Sequence, residues 1–218
     1  MTNVGFEKIA ALFPGRWDRH YVAAKLRTDP LYAALSTELR HSALPLLDLG
    51  CGLGLLAFFL RAEGIKVPIL GLDYDARKIS SAREASHNHD AVDLSFLHHD
   101  ARSGLPAHQG NVSILDILQF FQPTEQESLL KLAASRVAPG GKLIIRSGLR
   151  DQSWRFKITA LGDWLAKITL WMKAAPSHYP SAGDFNEILG SYGTVTVKPL
   201  WGKTPFNNHL IVLTRESG

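Results

Sequence analysis

The stretch LPLLDLGCGLGLLAFFL, residues 44–60, is apolar on both sides and is interrupted in its middle by an acid and closely spaced glycines. Asp48 comes first, and Gly50, Gly52 and Gly54 follow it. Glycine has no Cβ, so a backbone that carries it can turn tightly and approach a bound molecule closely. The apolar residues before the loop predict a buried strand, and those after it predict a helix. We therefore expect a ligand-binding turn between a strand and a helix.

A second acid, Asp73, ends the stretch ILGLD about 20 residues beyond the last glycine, where a carboxylate can bind ribose hydroxyls. This placement fits both NAD and S-adenosylmethionine (SAM). The glycine spacing differs from the G-x-G-x-x-G pattern that places a pyrophosphate on a helix N-terminus. Asp48 would repel a pyrophosphate, whereas it would attract the ammonium and sulfonium groups of SAM. The charge pattern therefore predicts SAM as the ligand.

The elements around these residues alternate between strands and helices. The predicted strands are PLLDL, VPILGLD, VDLSFL, VSILDIL and KLIIRS. The predicted helices are LGLLAFFLRAEG, which Gly64 closes, DARKISSAREASHN, and TEQESLLKLAASRV, which a Thr124–Glu127 capping box opens. Apolar runs that alternate with amphipathic helices indicate a parallel sheet covered on both faces, a doubly wound α/β fold.

The two ends of the chain have a different pattern. Three helices are predicted before residue 44, the last beginning at Pro30. After the fifth strand, SWRFKITALGDWLAKITLWMK predicts one long helix or two, and SAGDFNEILGSY predicts another. TVTVKPLW and NNHLIVLTR then predict an antiparallel hairpin. We expect a helical cap over residues 1–43 and a ligand-binding domain over 44–218 with a helical insertion at about 150–192.

The chain resembles the class I SAM-dependent methyltransferases. The motifs LLDLGCGLG, GLDYD, FLHHDAR, SILDILQFF and VAPGGKLII carry this resemblance over roughly residues 44–148. It implies a Rossmann-like seven-stranded sheet whose last strand is antiparallel. One position departs from the family pattern, because Asn111 stands where an acid often opens the fourth strand.

The resemblance also implies roles for individual residues in binding SAM. Asp48 and the glycine loop, with Cys51 between the glycines, resemble the part that surrounds the methionine moiety. Asp73 resembles the ribose-binding acid, and Tyr74 the residue that packs on the adenine. Asp100 and Ala101 resemble the contact to the adenine edge. Asp116 resembles the residue near the reactive sulfonium.

No motif identifies the methyl acceptor, since transfer from a sulfonium mainly requires alignment and exclusion of water. The catalytic candidates are His178, Tyr179 and Arg146, which could orient the acceptor or take its proton. Arg146 lies at the carboxyl end of the fifth strand, the edge that faces ligands in such sheets. The candidates for acceptor contact are Lys25, Tyr32, Gln119, Arg146, Trp154 and Tyr179.

A second resemblance concerns the strings YVAAKLRTDPLY, LIIRSGLRDQSWRFKIT and WGKTPFNNHLIV. They are similar to methyltransferases encoded beside bacterial aryl-polyene pigment genes. This implies a small phenolic or aryl acid acceptor in secondary metabolism, free or tethered to an acidic acyl carrier protein. The cations between Lys142 and Lys173 could then form a face for that protein, or simply a solvated helix face.

Composition and spacing exclude several other classes. The single cysteine excludes an internal disulfide and a multi-cysteine zinc site. His87 and His89 would diverge on a helix, and His98 and His99 would point to opposite faces of a strand, so we expect no metal site. The N-terminal residues lack the apolar segment of a signal peptide, and residues 44–60 are too polar for a membrane span, so we expect a cytoplasmic location.

Three alternative functions are also compatible with the sequence. A nicotinamide-dependent oxidoreductase could use the same fold, although the glycine spacing and Asp48 oppose it. A SAM-binding subunit or sensor could have the same loop without catalysis. An RNA methyltransferase is favoured slightly by the net charge of +4, but the chain shows no RNA-binding appendage, so nucleic acid is not the expected partner.

Overall fold

The computed structural model describes residues 3–88, 93–168 and 178–217. The helices are α1 (Asn3–Ala11), α2 (Arg16–Thr28), α3 (Leu31–Leu39), α4 (Leu55–Ala62), α5 (Ala76–Asn88), α6 (Pro123–Ser135), α7 (Trp154–Ile168) and α8 (Ala182–Leu189). The strands are β1 (Leu46–Leu49), β2 (Ile69–Asp73), β3 (Leu94–His98), β4 (Asn111–Leu115), β5 (Lys142–Gly148), β6 (Thr194–Pro199) and β7 (Asn208–Thr214). Short 3₁₀ turns cover Ala101–Ser103 and Leu118–Phe120.

The strands form a seven-stranded sheet of order β3-β2-β1-β4-β5-β7-β6. β1 pairs with β2, β2 with β3 and β4 with β5 in parallel, whereas β7 pairs antiparallel with both β5 and β6. β1 is buried along its whole length, as expected for a strand covered on both faces. The predicted fold class, with its antiparallel last strand, is confirmed.

The chain divides into two compact units, residues 1–103 and 104–218. In the first unit the N-terminal helices pack on α4 through aromatic rings. Phe13 lies edge-on to Phe58 at 5.7 Å, and Phe6 stacks on Phe59 at 6.4 Å. Helices α1–α3 therefore share a core with the glycine loop, and the role of residues 1–43 as a cap stays a prediction.

In the second unit, β5 and β7 contribute to the core, with Leu143, Ile145 and Ile211 fully buried. Helix α8 is fixed by a capping box, because the Ser181 amide and hydroxyl both donate to the Asp184 carboxylate. Trp171 and Lys173, which sequence analysis assigned to a helix here, lie outside the described residues.

The capping box predicted for α6 is wrong by two residues. The helix begins at Pro123, and its box joins Gln122 with Glu125 instead of Thr124 with Glu127. Proline favours the first helical position because its φ is already helical and its missing N–H would be unpaired there anyway. Of the described helices, none is sufficiently long and apolar to cross a bilayer.

Candidate functional site

The glycine loop after β1 turns through left-handed backbone conformations. Gly52 has φ +56° and Gly54 has φ +73°, values that side-chain-bearing residues rarely adopt. A Cβ at Gly54 would lie 2.5 Å from the Phe96 ring, so this position has room only for hydrogen. A Cβ at Gly52 would meet no protein atom within 4 Å. The loop is thus packed on one side and open on the other.

Two carboxylates lie at this loop, and both are buried. Asp73 is 6% exposed; its Oδ2 accepts the Gly52 N–H at 2.8 Å and its Oδ1 accepts the Asp75 N–H at 2.8 Å. Asp48 is 2% exposed and is the next-to-last residue of β1, just before the loop. The predicted ribose-binding acid therefore also fixes the loop, a role that the sequence did not reveal.

The thiol of Cys51 lies among negative charges in the loop. Burial, followed by the negative charges of Asp48 and Asp73, raises the pKa of this thiol well above its usual range. A site with this negative potential suits a cationic ligand and opposes a diphosphate. The residues present therefore fit the ammonium and sulfonium groups of SAM.

Cys51 should alkylate slowly. Its raised pKa keeps the thiol neutral at pH 8, where the reactive thiolate is scarce. We expect iodoacetamide to label Cys51 in the folded protein at less than about a tenth of the rate at which it labels the urea-unfolded protein. Saturating SAM should slow the labelling of the folded protein further. Asp48→Asn should accelerate labelling because it removes one of the two charges. Equal rates for the native protein with and without SAM would contradict the placement of SAM over Cys51.

The predicted adenine contacts follow the next two strands of the same unit. Tyr74, directly after β2, is 51% exposed, and its carbonyl lies 2.9 Å from Nε2 of His98. Asp100 follows β3, and its Oδ1 accepts the Arg102 N–H at 2.9 Å. Ala101 begins the 3₁₀ turn. The carboxyl ends of β1, β2 and β3 thus carry all of the predicted cofactor residues of this unit.

Two predicted acceptor contacts in the N-terminal helices have partners within the protein. Lys25 forms an ion pair with Asp29 at 2.9 Å. Tyr32 is 5% exposed, and its ring lies 5.7 Å from that of Phe59. Contact of either residue with an acceptor stays a prediction.

In the second unit, Asp116 and Arg146 form an ion pair with two contacts at the carboxyl ends of β4 and β5. Nε of Arg146 donates to Oδ1 of Asp116 at 2.7 Å, and Nη2 donates to Oδ2. The Arg146 side chain is 3% exposed, so its charge needs a partner such as this carboxylate. Asp116 also has φ +58°, the one positive φ of a non-glycine residue among those described. Arg146 was a candidate to orient the acceptor; its guanidinium binds the Asp116 carboxylate, and contact with an acceptor stays a prediction.

Three further candidates, Gln119, His178 and Tyr179, are linked to one another or to the ends of β4 and β5. The Gln119 side chain donates to the Asp116 carbonyl at 3.1 Å, and the Gln119 carbonyl accepts the His178 N–H at 3.4 Å. Tyr179 lies edge-on to Phe156 at 5.4 Å between ring centroids, and its ring packs over Gly148 at the end of β5. The structure therefore brings together candidates that are distant along the chain.

Trp154 lies apart from these contacts as an exposed side chain at the start of α7. It is 58% exposed, and the Arg155 guanidinium stacks between its ring and that of Trp201, at 4.8 and 4.4 Å. Arg146 is buried and Arg155 is stacked between two rings, so neither of these two cations lies on an open solvated face. No group of three or more potential metal ligands is found within residues 3–88, 93–168 and 178–217, and His89 lies outside them.

Sequence analysis missed two residues of the second unit. Gln126 is 4% exposed and donates through its side chain to three carbonyls. Asp184 lies close enough to His178 for the two charges to interact. A glutamine within a helix resembles any surface residue, so only the fold reveals the first. The capping box at Ser181 was a signal for the second.

Comparison with known proteins agrees with the loop and the sheet. Residues 46–141 match the family model described as a methyltransferase domain. This match and the glycine loop identify residues 46–141 as a SAM-dependent methyltransferase domain, with SAM as its cofactor, and the strand order is that of the class I fold. A search of curated proteins found no match.

Three solved structures show the same fold. An O-methyltransferase family protein from Burkholderia thailandensis matches with a TM-score of 0.70 and 16% identity, over 98% of this chain and 64% of that one. Magnesium protoporphyrin IX methyltransferase from Synechocystis PCC 6803, with bound S-adenosylhomocysteine (SAH), matches with a TM-score of 0.66 and 17% identity, over 98% of this chain and 93% of that one. Mitomycin 7-O-methyltransferase MmcR matches with a TM-score of 0.68 and 18% identity, over 90% and 56%. This chain therefore spans less than two thirds of the Burkholderia protein and of MmcR.

Proposed function

We propose that this protein transfers a methyl group from SAM to the hydroxyl oxygen of a small phenolic or aryl acid. The observation that supports SAM as the methyl donor is the buried, negatively charged glycine loop. A phenolic or aryl acid as the methyl acceptor is supported by the aromatic and titratable side chains at the ends of β4 and β5. Two of the three similar structures are named as O-methyltransferases, which favours oxygen over ring carbon.

The residues of the loop would hold the cofactor mainly by charge. SAM, when bound, supplies a methyl group already activated on a sulfonium. Asp48 and Asp73 stabilise positive charge at the loop, and the open side of Gly52 admits a ligand against the backbone. Tyr74 offers an exposed ring after β2 for the adenine.

The aromatic pair Phe156 and Tyr179 would hold a planar acceptor. Their rings are perpendicular, at 84°, and aromatic rings in such a pair also attract a third planar ring placed edge-on or stacked against them. The Tyr179 ring also covers Gly148, which places it at the carboxyl end of β5. An aromatic acceptor therefore fits this arrangement better than an aliphatic one.

His178 would take the proton of the acceptor hydroxyl. Burial alone would raise the pKa of Asp184, but hydrogen bonds from Ser181 and the positive charges of Arg150 and His178 lower it overall. A histidine beside a carboxylate is the arrangement that a general base requires.

Replacing His178 with Asn should lower kcat by roughly 10²- to 10⁴-fold, the usual contribution of general-base catalysis. Affinity for SAM, measured by calorimetry, should be unchanged. His108→Asn is the matched control, because His108 contacts the Asn111 carbonyl at the opposite end of β4. If His178→Asn retains the wild-type kcat, His178 is not the base.

The acceptor can be identified by following SAH formation with a panel of hydroxylated aryl acids. Each acid would be offered free and tethered to an acidic acyl carrier protein. A carrier-bound acceptor should react with a lower KM, and added salt should raise that KM because charge attraction is screened. Equal KM values for the free and the tethered acid at every salt concentration would show that the enzyme does not recognise the carrier protein.

The alternatives predict different outcomes in the same experiments. A non-catalytic SAM-binding subunit would bind SAM and form no SAH with any acceptor. An oxidoreductase would be stabilised by NAD and not by SAM in a thermal-shift assay. An RNA methyltransferase would form SAH with RNA and not with the aryl acids.

A further inference from the structure

We infer that Gln126 is a positioning residue for the acceptor site, holding the His178–Tyr179 segment against the 3₁₀ turn Leu118–Phe120. This inference rests on the proposed function for its consequence in catalysis. Gln126 lies on α6, is 4% exposed, and has no role in the mechanism proposed above.

The contacts of its side-chain amide carry the inference. Nε2 donates to the carbonyls of Leu118 at 2.9 Å, Phe121 at 3.1 Å and His178 at 3.0 Å. A primary amide has two N–H groups, so one of them is shared between two acceptors. One side chain thus joins both ends of the 3₁₀ turn to a segment 52 residues further along the chain.

The joined segments are those that carry the acceptor candidates. The 3₁₀ turn holds Gln119, whose side chain donates to the Asp116 carbonyl. The His178 backbone is held on both sides, since its N–H donates to the Gln119 carbonyl and its C=O accepts from Gln126. The Pro180 carbonyl accepts the Arg150 N–H at 2.9 Å, which fixes the segment to the end of β5.

The partial negative charge of the surrounding carbonyl oxygens makes position 126 sensitive to substitution. Three carbonyl oxygens converge on Nε2, so a donor is favoured there and a carboxylate is repelled. Gln126→Glu keeps the shape but places an anion against these oxygens. Protonation of that glutamate restores one donor, so the variant should recover as the pH falls. Gln126→Met keeps the approximate volume and removes the donors at every pH.

The test compares acceptor kinetics of both variants with those of Asn111→Ala. Asn111 is an equally buried side-chain hydrogen-bond partner, accepting the Lys142 N–H at 3.0 Å at the opposite end of β4. We expect Gln126→Met to raise acceptor KM and lower kcat, together about 10- to 100-fold in kcat/KM, with SAM affinity unchanged within about twofold. Gln126→Glu should regain activity, relative to wild type, between pH 8 and pH 6. Asn111→Ala should lose stability without these kinetic changes.

Several results would overturn the inference. One is a Gln126→Met variant that is less stable but has wild-type kcat and KM. Another is a Gln126→Glu variant whose pH profile follows that of the wild type. If the wild type methylates no acceptor, the proposed function fails separately, and amide hydrogen exchange decides instead. In that case faster exchange at His178 in Gln126→Met, without faster exchange in β4, supports the inference, and unchanged exchange at His178 overturns it.

Discussion

Gly52→Ala should lose SAM and SAH binding while the protein remains folded. A Cβ at this position meets no protein atom within 4 Å, so the substitution adds only the strain of a left-handed conformation, about 1–2 kcal/mol. The new methyl group would occupy the open side of the loop, where we place the cofactor. Overpacking of about 1–3 kcal/mol there corresponds to roughly 10- to 100-fold weaker binding by calorimetry.

Gly64→Ala is the matched control for this substitution. Gly64 follows α4 with φ +82°, and a Cβ there also meets nothing within 4 Å. Urea denaturation should show similar losses of stability for both variants, and only Gly52→Ala should lose affinity for SAM. If both variants bind SAM as the wild type does, the cofactor does not lie against this part of the loop.

Asp116→Asn should destabilise the protein by about 2–3 kcal/mol and greatly reduce turnover. The substitution leaves the guanidinium of Arg146, which is 3% exposed, without its carboxylate partner. Asparagine is among the residues that best tolerate a positive φ, so the backbone at φ +58° should be retained. The loss can therefore be assigned to the broken ion pair and not to backbone strain.

Asp100→Asn serves as the control for the loss of stability alone, because Asp100 also pairs with an arginine but lies at the surface; as a predicted adenine contact it is not a control for turnover. Its carboxylate is 3.5 Å from Arg102, and both side chains are more than two fifths exposed. Exposed pairs of this kind contribute at most about 1 kcal/mol. Equal unfolding midpoints in urea for Asp116→Asn and the wild type would show that the Asp116–Arg146 pair does not stabilise the second unit.

The sheet and the glycine loop could be predicted because their signals are local. Each parallel strand is a short apolar run, and the loop needs glycine at positions where φ is positive. The start of α6 was misplaced because two acids, Glu125 and Glu127, each have a polar residue three positions before them. Pro123 decides between the two, since it fixes the first helical residue.

The acceptor site could be predicted only in part, because its contacts are not local. Sequence analysis ended the fifth strand just after Arg146, whereas β5 continues to Gly148, and the partner of Arg146, Asp116, lies 30 residues away. Gln126 reaches the His178 carbonyl across 52 residues. Single-sequence patterns describe neighbours within a few positions, so such pairs appear only when the fold brings them together. Residues 169–177, part of the predicted helical insertion, lie outside the described chain.

The position of β7 has a consequence for synthesis on the ribosome. β7 lies between β5 and β6, although both are translated earlier. Until Thr214 has emerged from the exit tunnel, β5 and β6 each present an unpaired edge that can associate with other nascent chains. The second unit is therefore expected to complete its fold only after translation of β7, and to depend more than the first unit on protection by chaperones during that interval.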